Sequence, residues 1–184
     1  PESEGYSPSD YSLSSTLMES FGQFDAYTPM QLAQYISPVA NGGTRISPHI
    51  VDAVYSSSDD GGLGNLVRQV TGEKLNQVNI SADEIRIIQN GFYNVVNSSS
   101  GYATGTTMRS SVTTISGKTG TAETYAKNSS GDSVSTYNLN AIAYDANKKI
   151  AVAVMYPHVT TDDTKVHQNI ARDMIDTYVS NFAN

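Results

Sequence analysis

The sequence predicts an α+β protein. Three observations carry that expectation. Two segments open on helix-capping residues, Thr28 and Ser81, and continue with apolar side chains at helical spacing. Three strand candidates then follow at 112–123, 137–145 and 149–156. An amphipathic stretch at 164–182 completes an order of helices, antiparallel meander and terminal helix.

Each element has its own local reason. Residues 1–20 are rich in Ser, Tyr and acidic side chains and are expected to form a loop or a short helix. Thr28 caps the next helix, and Pro29 takes the first helical position, where a missing N–H costs nothing. Met30, Leu32, Ala33, Tyr35, Ile36, Val39 and Ala40 make that helix apolar on most sides, which predicts burial. Asn41-Gly42-Gly43 stops it. Ile46, Ile50, Val51, Ala53 and Val54 suit short paired strands between Thr44 and Tyr55, and 56–64 reads as loop.

Ser81-Ala82-Asp83-Glu84 is a capping box, with its two carboxylates at the positive end of the helix dipole. Ile85, Ile88, Phe92, Val95 and Val96 recur at helical spacing, ending near Asn97, and 98–105 reads as loop. Asp145-Ala146-Asn147-Lys148 suits a turn between the last two strands. In the closing helix the apolar stripe is Ile170, Met174, Ile175, Tyr178 and Val179.

Composition narrows the function classes. The 184 residues suffice for one domain or a large part of one. A net charge of −7 opposes non-specific nucleic-acid binding, which needs a basic face. The absence of cysteine rules out a disulfide framework. No apolar run reaches the about 20 residues of a membrane helix. His49, His158 and His167 lack metal-ligand spacing, and no cofactor is expected. The sequons at Asn79, Asn97 and Asn128 are chance matches in a Ser- and Asn-rich chain.

The chemistry concentrates in Ser116-Gly117-Lys118-Thr119-Gly120-Thr121-Ala122-Glu123. The β-branched run Val112-Thr113-Thr114-Ile115 leads into it as a strand. A cation, two hydroxyls and open backbone along one strand edge can hold a carboxylate and a developing oxyanion together. Gly-Lys-Thr is also the core of a phosphate-binding loop, but that motif requires a glycine where this chain has Val112. The polar segment 123–135 also offers no helix N-terminus for a phosphate.

Lys118-Thr119-Gly120 resembles the third motif of the penicillin-binding proteins and serine β-lactamases. Phe21-Gly22-Gln23, the run from Thr28 to Gln34 and Ala40-Asn41-Gly42-Gly43 are similar to the stretch before that motif in class B penicillin-binding proteins. Gly91-Phe92-Tyr93, the glycines from Gly101 to Gly105, Gly61-Gly62-Leu63-Gly64 and Val154-Met155-Tyr156-Pro157-His158 resemble the same class, and within it the 2B type of Gram-positive cocci. The resemblance covers nearly the whole chain. It implies an antiparallel sheet of five strands between helical layers, two of them preceding the nucleophile.

The family's other two motifs are missing. No Ser-x-x-Lys and no Ser-x-Asn occurs in the chain, and the nearest lysine spacings begin at Thr71 and Thr124. The family order puts the nucleophile N-terminal to Lys-Thr-Gly. Residues 1–184 are therefore expected to be the C-terminal portion of a transpeptidase domain, in agreement with a first residue, Pro1, that is not Met. The chain alone is expected to be inactive. Its last strand is expected to have an open edge, so that the chain stays associated, after a nick, with the N-terminal remainder of its own domain or else pairs edge to edge with another copy.

The resemblance implies a serine D,D-transpeptidase acting on peptidoglycan stem peptides that end in D-Ala-D-Ala, and acylated by β-lactams. Lys118 would place positive charge beside the substrate carboxylate and the second-motif serine. Thr119 and Thr121 would offer hydroxyls to that carboxylate, the Thr121 N–H would be one oxyanion donor, and Gly120 would leave room for substrate backbone. The parent would work at the extracytoplasmic face of the membrane, anchored upstream, with divisome or elongasome proteins as possible neighbours. Glu123 and Tyr125 lie past the motif, where a solvated hairpin competes with a place in the cleft. Gln23 suits a loop-holding role. A D,D-carboxypeptidase, a β-lactamase, or a non-catalytic β-lactam sensor or scaffold shares the motif, and deacylation rate separates these classes.

Overall fold

The first three helices start at local capping boxes. The computed structural model describes residues 4–7, 12–147 and 150–183. Ser12 caps α1 (Leu13–Glu19) through a capping box with Ser15. Thr28 caps α2 (Pro29–Asn41): the Gln31 N–H donates to Thr28 Oγ1 at 3.2 Å, and the Thr28 N–H donates to Gln31 Oε1 at 2.8 Å. Gly42 ends the helix with φ 87°, a left-handed conformation that glycine adopts without a Cβ clash.

Between α2 and the next helix lie two small antiparallel pairs. β1 (Thr44–Ile46) pairs with β4 (Lys74–Gln77), and β2 (Ala53–Ser57) pairs with β3 (Leu63–Gln69). Sequence reading anticipated short strands only up to Tyr55. β3 and β4 escape it because nearly all their residues are exposed, so no apolar alternation marks them.

Ser81 and Glu84 form the anticipated capping box at the start of α3 (Ala82–Asn97), which ends at the expected residue. A 3-10 turn follows at Thr106–Met108. The main sheet has the antiparallel order β5 (Ile115–Lys127), β6 (Ser133–Asp145), β7 (Ala151–Val159). β5 begins three residues later than the β-branched run suggested: Ser110 Oγ accepts the Val112 N–H at 2.8 Å and bends that segment. It also runs on to Lys127, past the expected end.

The β6–β7 turn is held by Asp145, which is fully buried. Its carboxylate accepts the N–H groups of Asn147 at 2.9 Å and Ile150 at 3.2 Å. Lys148, the last residue of the expected turn, lies outside the described residues. α4 (Val166–Phe182) closes the chain.

Both faces of the main sheet are covered by helix. On one, Ile115, Ala141, Ala143 and Val152 pack with Val96 of α3, Met108 and the α4 residues Ala171 and Ile175. On the other, Ile142, Tyr144 and Ala151 pack with Ile36, Val39 and Ala40 of α2 and Phe92 of α3. This is the α+β arrangement of an antiparallel sheet flanked by helices.

Two helices are less buried than their composition suggested. In α2, Met30 and Tyr35 are about half exposed, and full burial is confined to its last two turns. In α4 the buried side chains are His167, Gln168, Ala171 and Ile175. Ile170 and Met174, expected on the core stripe, instead line an open groove with Ile150, Tyr178 and Phe182 beside the start of β7. Among the described residues β7 pairs only with β6, so its outer edge is open, as expected.

Candidate functional site at the open edge of β5

Among the described residues β5 also pairs on one side only, with β6, so its other edge is open over the Lys118-Thr119-Gly120-Thr121 stretch. The direction of each backbone group there follows from three hydrogen bonds. The Asp145 N–H donates to the Ile150 carbonyl, so odd-numbered β6 residues face β7 and even-numbered ones face β5. The register pairs Lys118 with Ile142 and Gly120 with Asn140. Even-numbered β5 residues therefore bond to β6, and odd-numbered ones turn their N–H and C=O groups outward. Two contacts agree: the Ile115 carbonyl accepts from Asn97 Nδ2 at 2.8 Å, and the Thr119 carbonyl accepts from Lys118 Nζ at 2.6 Å. Thr119 and Thr121 present their backbone to the open side.

Side chains alternate across the same strand. Thr119 and Thr121 lie on the α4 face with Ile115, while Lys118 and Gly120 lie on the α2 face. Lys118 reaches the edge by folding over it, and its ammonium rests on the neighbouring carbonyl. Lys118 and the two threonine side chains thus lie on opposite faces of the sheet. Lys118 and Thr121 are exposed and Thr119 is half-buried. A Cβ built on Gly120 would meet Asn140 Cβ at 3.7 Å, so nothing among the described residues requires glycine there.

The base of the strand is rigidly seated. Gly117 is buried, and a Cβ there would stand 2.7 Å from the Ile142 carbonyl oxygen. Ser116 hydrogen-bonds the cross-strand Tyr144 phenol, whose pKa is pushed above its usual value by burial, only partly offset by that bond. Arg109 ties the end of α3 down: its Nε donates to the Val96 carbonyl at 2.9 Å and its Nη2 to the Ser98 carbonyl at 2.7 Å.

The structure brings one further residue to the motif. Thr104 Oγ1 lies 2.9 Å from Thr119 Oγ1. The Thr104 carbonyl in turn accepts from Gln168 Nε2 at 3.1 Å, from the buried start of α4. Thr104 falls within the glycine stretch 101–105 that carried part of the resemblance, but nothing in its spacing tied it to Thr119. Gln168, a polar residue on the core side of an amphipathic helix, was the available signal for the second link.

The other candidates lie elsewhere. Glu123 and Tyr125 are exposed toward the tip of the β5–β6 hairpin, Tyr125 at 71%. Gln23 is half-buried in the α1–α2 loop, where its N–H donates to the Met18 carbonyl. His49 is exposed; His158 has φ 53° at an irregularity of β7; His167 is buried in α4. Among the described residues no group of His, Asp or Glu is placed to hold a metal ion, and no helix is long and apolar enough to cross a membrane.

Comparison with known proteins gives the family. The family described as the penicillin-binding protein transpeptidase domain matches residues 1–176. Penicillin-binding protein 2B of Streptococcus pneumoniae is 45% identical over 180 residues, covering 96% of this chain and 26% of that protein. The solved structure of penicillin-binding protein 2B from S. pneumoniae strain R6 superposes with a TM-score of 0.88 at 44% identity, over 98% of this chain and 29% of that one. Penicillin-binding protein 3 of Mycobacterium tuberculosis shares the fold, with a TM-score of 0.68 at 20% identity over 97% of this chain and 41% of that one. The chain spans about a quarter of the length of the 2B relatives it matches. On these grounds, together with the Lys-Thr-Gly strand, the chain belongs to the penicillin-binding protein transpeptidase domain family.

Proposed function

We propose that this chain is the C-terminal part of a serine D,D-transpeptidase that cross-links peptidoglycan stem peptides and is acylated by β-lactams. The observation that carries the reading is the open β5 edge, where Lys118 Nζ donates to the outward Thr119 carbonyl and Thr121 turns its backbone outward. A substrate peptide ending in D-Ala-D-Ala would lie along that edge as an added strand, bonding to the outward groups of Thr119 and Thr121. Its terminal carboxylate would take charge-assisted hydrogen bonds from the two hydroxyls in the field of Lys118. Each such bond is worth about 1.5–3 kcal/mol.

The nucleophile comes from outside this chain. A serine attacks the penultimate carbonyl, the Thr121 N–H stabilises the oxyanion, and terminal D-Ala leaves. An acceptor amine then attacks the acyl ester and releases the serine, completing the cross-link.

Surface area supports the incomplete-domain reading. The chain exposes 12045 Å², against about 8,600 Å² for a folded monomer of its mass. The excess includes the Ile170–Met174–Phe182 groove next to the open edge of β7. Further strands added at β7 would extend the sheet beneath that groove. The preceding part of the same domain is the proposed source of those strands. In the proposed parent, an anchor further upstream holds the domain at the extracytoplasmic membrane face.

Labelling with a fluorescent penicillin tests the reading on the full-length protein, its Lys118→Ala form and this chain alone. Stable labelling of the first, weak labelling of the second and none of the third is expected. Labelling of the isolated chain would place a nucleophile within it and overturn the split site. A parent that is not labelled would overturn the transpeptidase reading, and rapid loss of label would indicate a hydrolase.

A further inference from the structure

We propose that Thr104 is a positioning residue for the Thr119 hydroxyl, and that Gln168 holds Thr104 in place for that task. The proposal rests on the function proposed above. The two hydroxyl oxygens are 2.9 Å apart, and geometry alone allows either to donate. A carboxylate only accepts hydrogen bonds, and each threonine has one hydroxyl proton. When Thr119 donates its proton to the substrate carboxylate, Thr104 must donate to Thr119. The hydrogen bonds then run in one direction, from Thr104 through Thr119 to the ligand, and each polarises the next.

The geometry restricts Thr119 in the free protein as well. Thr119 is half-buried on an edge strand, and its β-branched side chain has few rotamers. A partner at 2.9 Å selects one of them before the ligand arrives, so less rotamer freedom is lost on binding. Thr104 could do this only if its own loop were fixed, and two contacts fix it. The Gly105 N–H donates to the Val95 carbonyl at 2.9 Å, and the Thr104 carbonyl accepts from Gln168 Nε2 at 3.1 Å. Gln168 is 2% exposed, and among the described residues its Oε1 has no partner. Its side chain is therefore oriented by the Nε2 contact. The start of α4 is thereby linked to the ligand-facing hydroxyl through two hydrogen bonds.

The test is pre-steady-state acylation of the full-length protein by benzylpenicillin, separating the dissociation constant of the initial complex from the acylation rate constant. Thr104→Val keeps the shape and removes the proton. It should weaken initial binding about 5–10-fold with the acylation rate constant nearly unchanged, the pattern of a lost ground-state contact. Thr104→Ser should restore binding. In a Thr119→Val background, Thr104→Val should add nothing. Gln168→Met should weaken binding in the same sense, and not in a Thr104→Val background. Thr104 is exposed, so its variants test the proposal even if Gln168→Met fails to fold.

Full additivity of Thr104→Val and Thr119→Val would overturn the proposal. So would unchanged binding in Thr104→Val, or failure of Thr104→Ser to rescue. A wild-type protein that benzylpenicillin does not acylate would instead overturn the transpeptidase reading.

Discussion

Asn97, the last residue of α3, donates its side-chain amide to the Ile115 carbonyl, the first residue of β5, at 2.8 Å. The same amide donates to the Tyr93 carbonyl within α3 at 3.1 Å. One side chain therefore joins the end of a helix to the outward edge of the strand that carries Lys118. It occupies the Ile115 carbonyl on the side where, among the described residues, β5 has no neighbouring strand.

Asn97→Leu should destabilise the domain by about 1–3 kcal/mol, because the Ile115 carbonyl is left without a partner beside a buried residue. Denaturant unfolding measures this. A change below about 0.5 kcal/mol, the usual range of a neutral surface substitution, would mean that water replaces the amide.

Lys118→Ala should leave the melting temperature unchanged, since the side chain is exposed and, among the described residues, bonds only to the adjacent carbonyl. Penicillin acylation should fall by about 10²-fold or more, the usual cost of removing an electrostatic stabiliser from a reacting centre. Equal losses of stability and acylation would instead make Lys118 a structural residue.

Gly117 and Gly120 should respond oppositely to alanine. At Gly117 a Cβ would be 2.7 Å from the Ile142 carbonyl oxygen and 3.2 Å from the Met108 methyl, so Gly117→Ala should cost about 1–3 kcal/mol of stability. At Gly120 the space is open, and Gly120→Ala should be neutral or slightly stabilising. Its effect should appear in acylation, slowed tenfold or more by about 1 Å of ligand displacement. Thermal melts beside labelling rates separate the two. Normal acylation of Gly120→Ala would show that ligand does not approach this backbone.

His167 should make stability depend on pH. Burial, and secondarily the nearby Lys165 charge, hold its imidazole pKa below the ordinary value, so the folded protein keeps it neutral. The unfolded chain takes up the proton near the ordinary value of about 6.5. The folded form is thus favoured fully above that pH, and the advantage is lost as pH falls from there toward the depressed folded value. Melting temperatures between pH 7.5 and 5.5 should drop for the native chain and less for His167→Gln. Identical slopes would show that protonated His167 is accommodated.

The outer edge of β7 should make the isolated chain self-associate. Size-exclusion chromatography with intact-mass analysis should give an apparent size above the 19.7 kDa of one chain. Co-expression with the proposed preceding part of the domain should suppress this. A well-behaved monomer would show that β7 needs no neighbour.

Where contacts are short in sequence, the sequence alone determined the result. Thr28 with Gln31, and Ser81 with Glu84, cap helices through bonds three residues apart, so both helix starts were legible, as was the left-handed stop at Gly42. The meander was legible because β6 alternates buried and half-buried positions. The motif marked Lys118 through Thr121 without any structure. Tertiary structure decided what depends on distant partners. β3 and β4 pair through exposed residues that carry no periodic signal, and Ile170 and Met174 look like core until the neighbours of α4 are known. The outward phase of Thr119 and Thr121 is set by the β6–β7 register some twenty residues further along the chain, and Thr104 meets Thr119 only because α3, the 3-10 turn and Gln168 fix the intervening loop. A sequence encodes short-range hydrogen bonds and burial periodicity directly; which edge stays open and which hydroxyls meet depends on how separate elements pack.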